Sequence, residues 1–261
     1  METYGTGEPI LFLHGFTGDH TTWKDTIAAL PPNMFCIMPD LLGHGKSDSP
    51  SDPKVYGMEN AAEDLLDILD HLKIAKTHLV GYSMGGRLAL SFALLHKERI
   101  ISLLLESASP GLESKEERDK RAASDERLAE LIEEQGMLEF VDYWENIPLF
   151  HTQKKLLPEQ QEKIRNQRLA NSECGLANSL RGMGTGRQPS WWEALEGLDI
   201  PVLLMTGELD KKFCMISEKM KNRLQKSEER RISGVGHAIH VENSAIFGKI
   251  VSEFVEKWRE K

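Results

Sequence analysis

A serine hydroxyl at neutral pH is a weak base and a weak nucleophile, so a chain that uses one must also supply an imidazole and a carboxylate to orient it. Residues 81–85, Gly81-Tyr82-Ser83-Met84-Gly85, follow the apolar run 77–80 and lead at once into a helical pattern. This G-x-S-x-G arrangement is a strand-to-helix elbow. On so sharp a turn the serine backbone is strained, and small residues two before and two after it prevent clashes with the neighbouring strand and helix. Ser83 is therefore the candidate working serine. Of the nine histidines, His237 in Gly234-Val235-Gly236-His237 lies in a loop just after the last predicted strand, and it is the candidate base. His240, three residues on, is its nearest rival, with a supporting or helix-capping role as the alternative. The acid should fall between serine and histidine in chain order. Asp210, beyond the run 202–206 and the turn at Gly207, is favoured over Glu208 at the strand end and Glu106 after the preceding strand.

The elements that must carry these groups can be read from periodicity. Short apolar runs at 10–14, 34–40, 77–83, 100–107 and 202–207, with a weaker one at 230–233, fit strands of a parallel sheet covered on both faces. Between them, Met58, Ala61, Ala62, Leu65, Leu66, Leu69 and Leu72 recur at helical spacing, and 88–95 continues a similar apolar face. Strand and helix alternate, so the class is α/β with a mostly parallel central sheet. The alternation stops after Ser107 for roughly ninety residues, too many for a simple loop. That stretch turns to charged helical sequence at 115–135, an aromatic segment at 140–150 and a further segment at 157–180. It reads as a helical lid over the carboxyl ends of the strands, where such sheets bind ligands. The expected division is core at 1–108, lid at 109–198 and core again at 199–261. The N-terminus is short, so the hairpin that commonly opens this architecture is expected to be missing or reduced to an edge fragment, as truncation would leave it, with a ragged sheet edge.

Composition narrows the function classes. A formal charge of -9 argues against nucleic acid or an anionic membrane as partner, since both require a basic surface. No apolar run approaches the roughly 18 to 20 residues of a membrane span, and no basic leader precedes one, so the expected compartment is the cytoplasm. Cys36, Cys174 and Cys214 are too few and too scattered for a disulfide framework or paired zinc ligands. No motif implies a metal or an organic cofactor. Oligomeric state is unreadable from the sequence.

An oxyanion hole would complete the constellation. In this architecture, the α/β-hydrolase fold, its N–H donors come from the residue after the nucleophile, here Met84, and from the loop after an early strand, here Phe16 in His14-Gly15-Phe16. Arg87 lies four residues after Ser83, near the positive end of the helix dipole, a misfit that an anionic substrate group would remove. Arg121 and Arg168, in the two helical parts of the insertion, are candidate further cations above Ser83, with a solvated helix charge as the favoured reading of each taken singly. Tyr82 and Trp144 are candidates to line the same pocket. Core packing is the alternative role for each.

GYSMGGR at 81–87, HGFTGD at 14–19, GLxxxxERxxR at 111–121, WENIPLF at 144–150, RLANS at 168–172 and GHAIH at 236–240 together resemble the 2-succinyl-6-hydroxy-2,4-cyclohexadiene-1-carboxylate synthase family of menaquinone biosynthesis. The resemblance covers nearly the whole chain. It implies a lyase that eliminates pyruvate from an enolpyruvyl intermediate bearing several carboxylates, without attack by water. It further implies that Ser83, deprotonated by His237 with Asp210 orienting it, takes a proton alpha to the succinyl carbonyl. Phe16 and Met84 N–H groups would hold the enolate oxygen, Arg87, Arg121 and Arg168 would bind carboxylates, and Tyr82 and Trp144 would shape the pocket. Residue chemistry alone leaves open a serine hydrolase, an esterase or a carbon-carbon bond hydrolase, running the same triad through an acyl-enzyme.

Overall fold

The computed structural model describes residues 1–259. Its strands are β1 (Glu2–Tyr4), β2 (Glu8–Leu13), β3 (Met34–Met38), β4 (Thr77–Tyr82), β5 (Ile100–Glu106), β6 (Val202–Gly207) and β7 (Ser227–Ile232). They form one sheet in the order β1-β3-β2-β4-β5-β6-β7, parallel throughout except for β1. The apolar runs become strands because alternate residues enter cores on opposite faces. Leu11 and Leu13 join one core and Ile10 and Phe12 the other, and Leu103 and Leu105 are separated from Leu104 in the same way.

The helices supply the cover. In chain order they are α1 (Lys24–Ala28), α2 (Met58–His71), α3 (Met84–Leu95), α4 (Lys115–Trp144), α5 (Pro158–Leu169), α6 (Glu173–Met183), α7 (Lys211–Lys221), α8 (Ile239–Glu242) and α9 (Ser244–Trp258). Ala61 and Leu65 of α2, Leu88 and Phe92 of α3 and Met220 of α7 pack on one face. Ile27 of α1 with Phe247 and Val251 of α9 pack on the other.

Most boundaries shift by a residue or two, and two elements depart further from the sequence reading. β7 runs from Ser227 to Ile232 and so begins ahead of its weak apolar signal, because an edge strand with one solvated face has no need of a continuous apolar run. The charged stretch at 115–135 and the start of the aromatic one, as far as Trp144, share one helix span broken at Gly136, where the backbone turns to φ 84 and ψ 173, and the rest of the aromatic stretch runs into the 3-10 helix Pro148–Lys155. The N-terminal segment is an edge fragment: β1 is three residues long and pairs antiparallel with β3, Glu2 opposite Met38.

Between β5 and β6 the insertion carries α4, α5, α6 and a 3-10 helix, Pro148–Lys155. Ser114 caps α4 reciprocally with Glu117, a box that fixes where the insertion leaves the sheet. Ala129, Ile132, Phe140, Leu176, Ala177 and Leu180 give it a small apolar core of its own, against which Phe16 and Trp144 also pack.

Candidate active site

Ser83 stands between the end of β4 and the start of α3 with φ 51 and ψ -107, a conformation that a non-glycine residue adopts at a cost of about 1–3 kcal/mol. Two bonds hold it there: its N–H donates to the Glu106 carbonyl at 2.9 Å, and its own carbonyl accepts the Arg87 N–H at 2.9 Å. The glycine at 85 is required by contact. A Cβ on Gly85 would lie 2.2 Å from the Leu13 carbonyl oxygen and 2.4 Å from that of His14, both backbone atoms of the adjoining strand end. Gly85→Ala is therefore expected to destabilise the protein by about 3 kcal/mol, a fall of roughly 6–12 °C in Tm measurable by thermal melting.

His237 reaches this serine from the loop after β7. Its Nε2 lies 3.0 Å from Ser83 Oγ, and its Nδ1 lies 2.6 Å from Asp210 Oδ2. With Nδ1–H donated to the carboxylate, Nε2 is left as the acceptor for the serine proton. Asp210 is held by its own second oxygen, Oδ1, which accepts the Phe213 N–H at 3.2 Å and so caps α7. His237 is 1% exposed and its ring is flanked by Phe213, Tyr82 and Phe150. The three side chains can therefore pass a proton from serine to imidazole away from bulk water.

The rival residues pair with one another. Glu106, completely buried, accepts the His240 N–H at 3.1 Å and the His240 Nδ1–H at 2.7 Å. This pair of hydrogen bonds fastens the loop bearing His237 to the end of β5, beside the elbow whose Ser83 N–H the Glu106 carbonyl holds. Glu208 instead accepts from the Gly234 N–H at 3.2 Å.

Phe16, Met84, Tyr82, Arg87, Arg121 and Trp144 line one cavity with Ser83 and His237. His14 sets the Phe16 peptide. Its Nε2 accepts the Leu41 N–H, so its proton sits on Nδ1 and is donated to the Gly15 carbonyl at 2.9 Å, which also accepts from the Gly18 N–H. Burial pushes the His14 imidazole pKa down, in keeping with that neutral form. A planar trans peptide turns its N–H opposite to its carbonyl, so tying the Gly15 oxygen fixes the direction of the Phe16 N–H.

Arg87 is the electrostatic feature of this cavity. Its Nη1 donates to the Met183 carbonyl at 2.8 Å and to Gln188 Oε1, both neutral acceptors. Burial foremost, and repulsion from Arg121 next, push its pKa down to about 10, against a smaller pull from Asp125. It stays a cation at neutral pH without an ion-pair partner among the described residues. Arg121 is more exposed and shares its charge with Asp125, 2.7 Å away one helical turn on. Arg168 lines not this cavity but an adjoining one, and Phe16, Tyr82 and Phe150 are common to both. There it donates to Gln153 Oε1 at 3.0 Å and stacks over Phe150, 4.8 Å from the ring centre, with its pKa lowered by burial. Burial also raises the Tyr82 phenol pKa well above its ordinary value, so the phenol remains a proton donor.

Gln188, Gln153, Thr152 and Glu242 contribute to the site's surroundings without a signal in the sequence, since Gln188 meets Arg87 and Thr152 meets Glu242 only across 90 residues or more of chain. Among the described residues the ligand atoms of Asp19, His20 and Asp40 lie close enough together to share a metal ion. They are engaged already: Asp40 accepts the His20 N–H, His20 Nδ1–H and Lys46 N–H, and Asp19 accepts from Thr21 and Gln167.

A profile described as alpha/beta hydrolase fold matches residues 8–244. A Bacillus subtilis (strain 168) protein provisionally named 2-succinyl-6-hydroxy-2,4-cyclohexadiene-1-carboxylate synthase is 47% identical over 248 residues, 95% of this chain and 90% of that one. The chain belongs to this synthase family. A protein of Enterobacter sp. (strain 638) that bears the synthase name is 31% identical over 248 residues, covering 94% of this chain and 91% of its own. The solved structure of MenH from S. aureus superposes with a TM-score of 0.95 at 36% identity, over 99% of this chain and 98% of that one. Family membership thus extends through the insertion that carries Arg121, Trp144 and Arg168.

Proposed function

We propose that this chain is a carbon-oxygen lyase that eliminates pyruvate from 2-succinyl-5-enolpyruvyl-6-hydroxy-3-cyclohexene-1-carboxylate, giving 2-succinyl-6-hydroxy-2,4-cyclohexadiene-1-carboxylate for menaquinone synthesis. The observation that carries the reading is Arg87, a buried cation with only neutral partners on the wall of the cavity that holds Ser83. An uncompensated buried charge is costly, and a substrate carboxylate offsets that cost.

The chemistry follows from the hydrogen-bond chain. His237 accepts the Ser83 proton, and the serine oxygen takes the ring C2 proton alpha to the succinyl carbonyl. The electrons of that C–H bond form the C2–C3 double bond, the existing C3–C4 double bond shifts to C4–C5, and the C5–O bond breaks. Pyruvate departs as its enolate and takes on carbon the proton that His237 accepted, which returns Ser83 and His237 to their starting states. Phe16 and Met84 N–H groups hold the oxygen of the succinyl enolate while charge builds there. Arg87 and Arg121 bind carboxylates within the cavity, and Arg168 receives one from the adjoining cavity past Tyr82 and Phe150. Tyr82 and Trp144 shape the space around the ring, and Trp144 also offers a buried indole N–H that has no partner among the described residues. The lid is assigned to residues 109–198, between core segments 1–108 and 199–261. A cytoplasmic location belongs to the same proposal, supported by three unpaired cysteines. Among the described residues no helix is long and apolar enough to cross a membrane.

The test is pyruvate release from the enolpyruvyl intermediate, with neutral nitrophenyl esters run alongside. Ester turnover without pyruvate would overturn the lyase reading in favour of a serine hydrolase. Arg87→Ala is expected to lower kcat/KM for pyruvate release by about 10- to 150-fold, the equivalent of one charge-assisted contact of 1.5–3 kcal/mol. Neutral ester turnover should change far less. Arg87→Lys should not restore the activity, because an ammonium lacks the planar fork that meets a carboxylate and both neutral acceptors together.

A further inference from the structure

Glu242 ends α8, five residues after the candidate base, and both of its carboxylate oxygens are occupied. Oε2 accepts the N–H of Gly236, the residue immediately before His237, at 2.8 Å. Oε1 accepts the Thr152 hydroxyl at 2.8 Å, and Thr152 belongs to the 3-10 helix Pro148–Lys155 of the insertion. The two segments also touch directly: a Cβ on Gly236 would lie 2.2 Å from Thr152 Oγ1. The next insertion residue, Gln153, accepts from Arg168, and Phe150 of the same helix packs against both Arg168 and the His237 ring.

From this connected set we propose that Glu242 is a positioning residue, a latch through which the insertion's hold on a substrate carboxylate sets the place of His237. The proposal rests on the activity assigned above, in that an anionic substrate group is what engages Arg168. When that group draws on Arg168, the displacement reaches Gln153 and Thr152, and the Thr152 to Glu242 to Gly236 bridge transmits it to the backbone of the base. A neutral substrate makes no such demand, so its turnover needs the Glu242 to Gly236 bond but not the Thr152 one. No catalytic step passes through Glu242 itself.

The experiment compares Thr152→Val, Glu242→Ala and Glu242→Gln with the wild type on three substrates: the enolpyruvyl intermediate, 4-nitrophenyl hemisuccinate and neutral 4-nitrophenyl acetate. Thr152→Val, which removes one hydrogen bond to a carboxylate, is expected to lower kcat about 10-fold on the two anionic substrates, within about 2-fold on the neutral ester. Glu242→Ala should lower kcat on all three. Glu242→Gln should recover most of it, since the amide oxygen still accepts from Gly236 and the amide N–H can donate to Thr152 Oγ1. Melting curves identify any variant that has simply lost its fold. Equal kcat for Thr152→Val and wild type on both anionic substrates overturns the latch, as does an equal loss on the neutral ester. Absence of pyruvate release by the wild type overturns the activity reading alone, because the ratio of anionic to neutral ester turnover still measures the latch.

Discussion

Asp210→Asn is expected to lower kcat for pyruvate release by about 10⁴-fold while leaving the fold intact. The two oxygens of Asp210 have separate duties, Oδ1 accepting from the Phe213 N–H at the start of α7 and Oδ2 accepting from His237 Nδ1. Asparagine caps helices about as well as aspartate, so its oxygen can keep the first bond and hold stability to within about 1 kcal/mol of wild type. Its NH2 group then faces His237 and cannot accept a proton. The imidazole is driven to the tautomer with hydrogen on Nε2, which points a donor at Ser83 Oγ where an acceptor is needed. Steady-state pyruvate assays and thermal melts on the same preparation check both halves. A loss of activity with a matching loss of Tm would tell against the tautomer argument. Asp210→Ala removes the cap as well and should lose stability by about 1 kcal/mol in addition.

Ser83→Ala and Ser83→Gly form the second test, because they separate chemistry from strain. Both remove the hydroxyl that is 3.0 Å from His237 Nε2, and both should lower kcat by about 10³- to 10⁴-fold, the upper range for a positioned acid-base group. Their stabilities should diverge. Alanine keeps the penalty of φ 51, whereas glycine adopts that conformation freely, so the glycine variant is expected to be the more stable by about 1–3 kcal/mol before its own unfolded-state entropy of about 0.5–1 kcal/mol is subtracted. Activity retained in both variants would mean that His237 takes the substrate proton directly. Equal Tm values would mean that the strain a glycine releases at the elbow is no more than its entropy cost of about 0.5–1 kcal/mol.

The same logic explains why these residues occupy the end of the sheet. Parallel strands place their carboxyl ends on one edge, and the loops after β2, β4, β6 and β7 carry Phe16, Ser83, Asp210 and His237 to it. Glu106 at the end of β5 contributes differently. It anchors the base loop through His240 and the elbow through its carbonyl, so two carboxylate-imidazole pairs of similar length stand beside Tyr82. Only Asp210-His237 contacts a serine hydroxyl.

Much of this was written locally in the chain. The elbow is legible because its requirements are local: a strand, a strained residue flanked by glycines that backbone atoms crowd, and a helix. Strand and helix placement was legible where both faces are buried, since continuous apolar runs and helical spacing are consequences of that burial. The apolar signal of β7 starts late because its exposed face carries charge, and the break at Gly136 is hidden inside an otherwise helical pattern. The sequence named Arg87 as a cation near the serine from its place on the elbow helix alone. Tertiary structure alone decided that its partners are neutral, because the carbonyl of Met183 and the amide of Gln188 come from far along the chain. The pairing of Glu106 with His240, the placing of Arg168 behind Tyr82 and Phe150, and the Thr152 to Glu242 to Gly236 bridge were settled in the same way. Local sequence sets backbone conformation through sterics over a few residues, whereas the charge balance of a cavity depends on which distant groups packing brings to its walls.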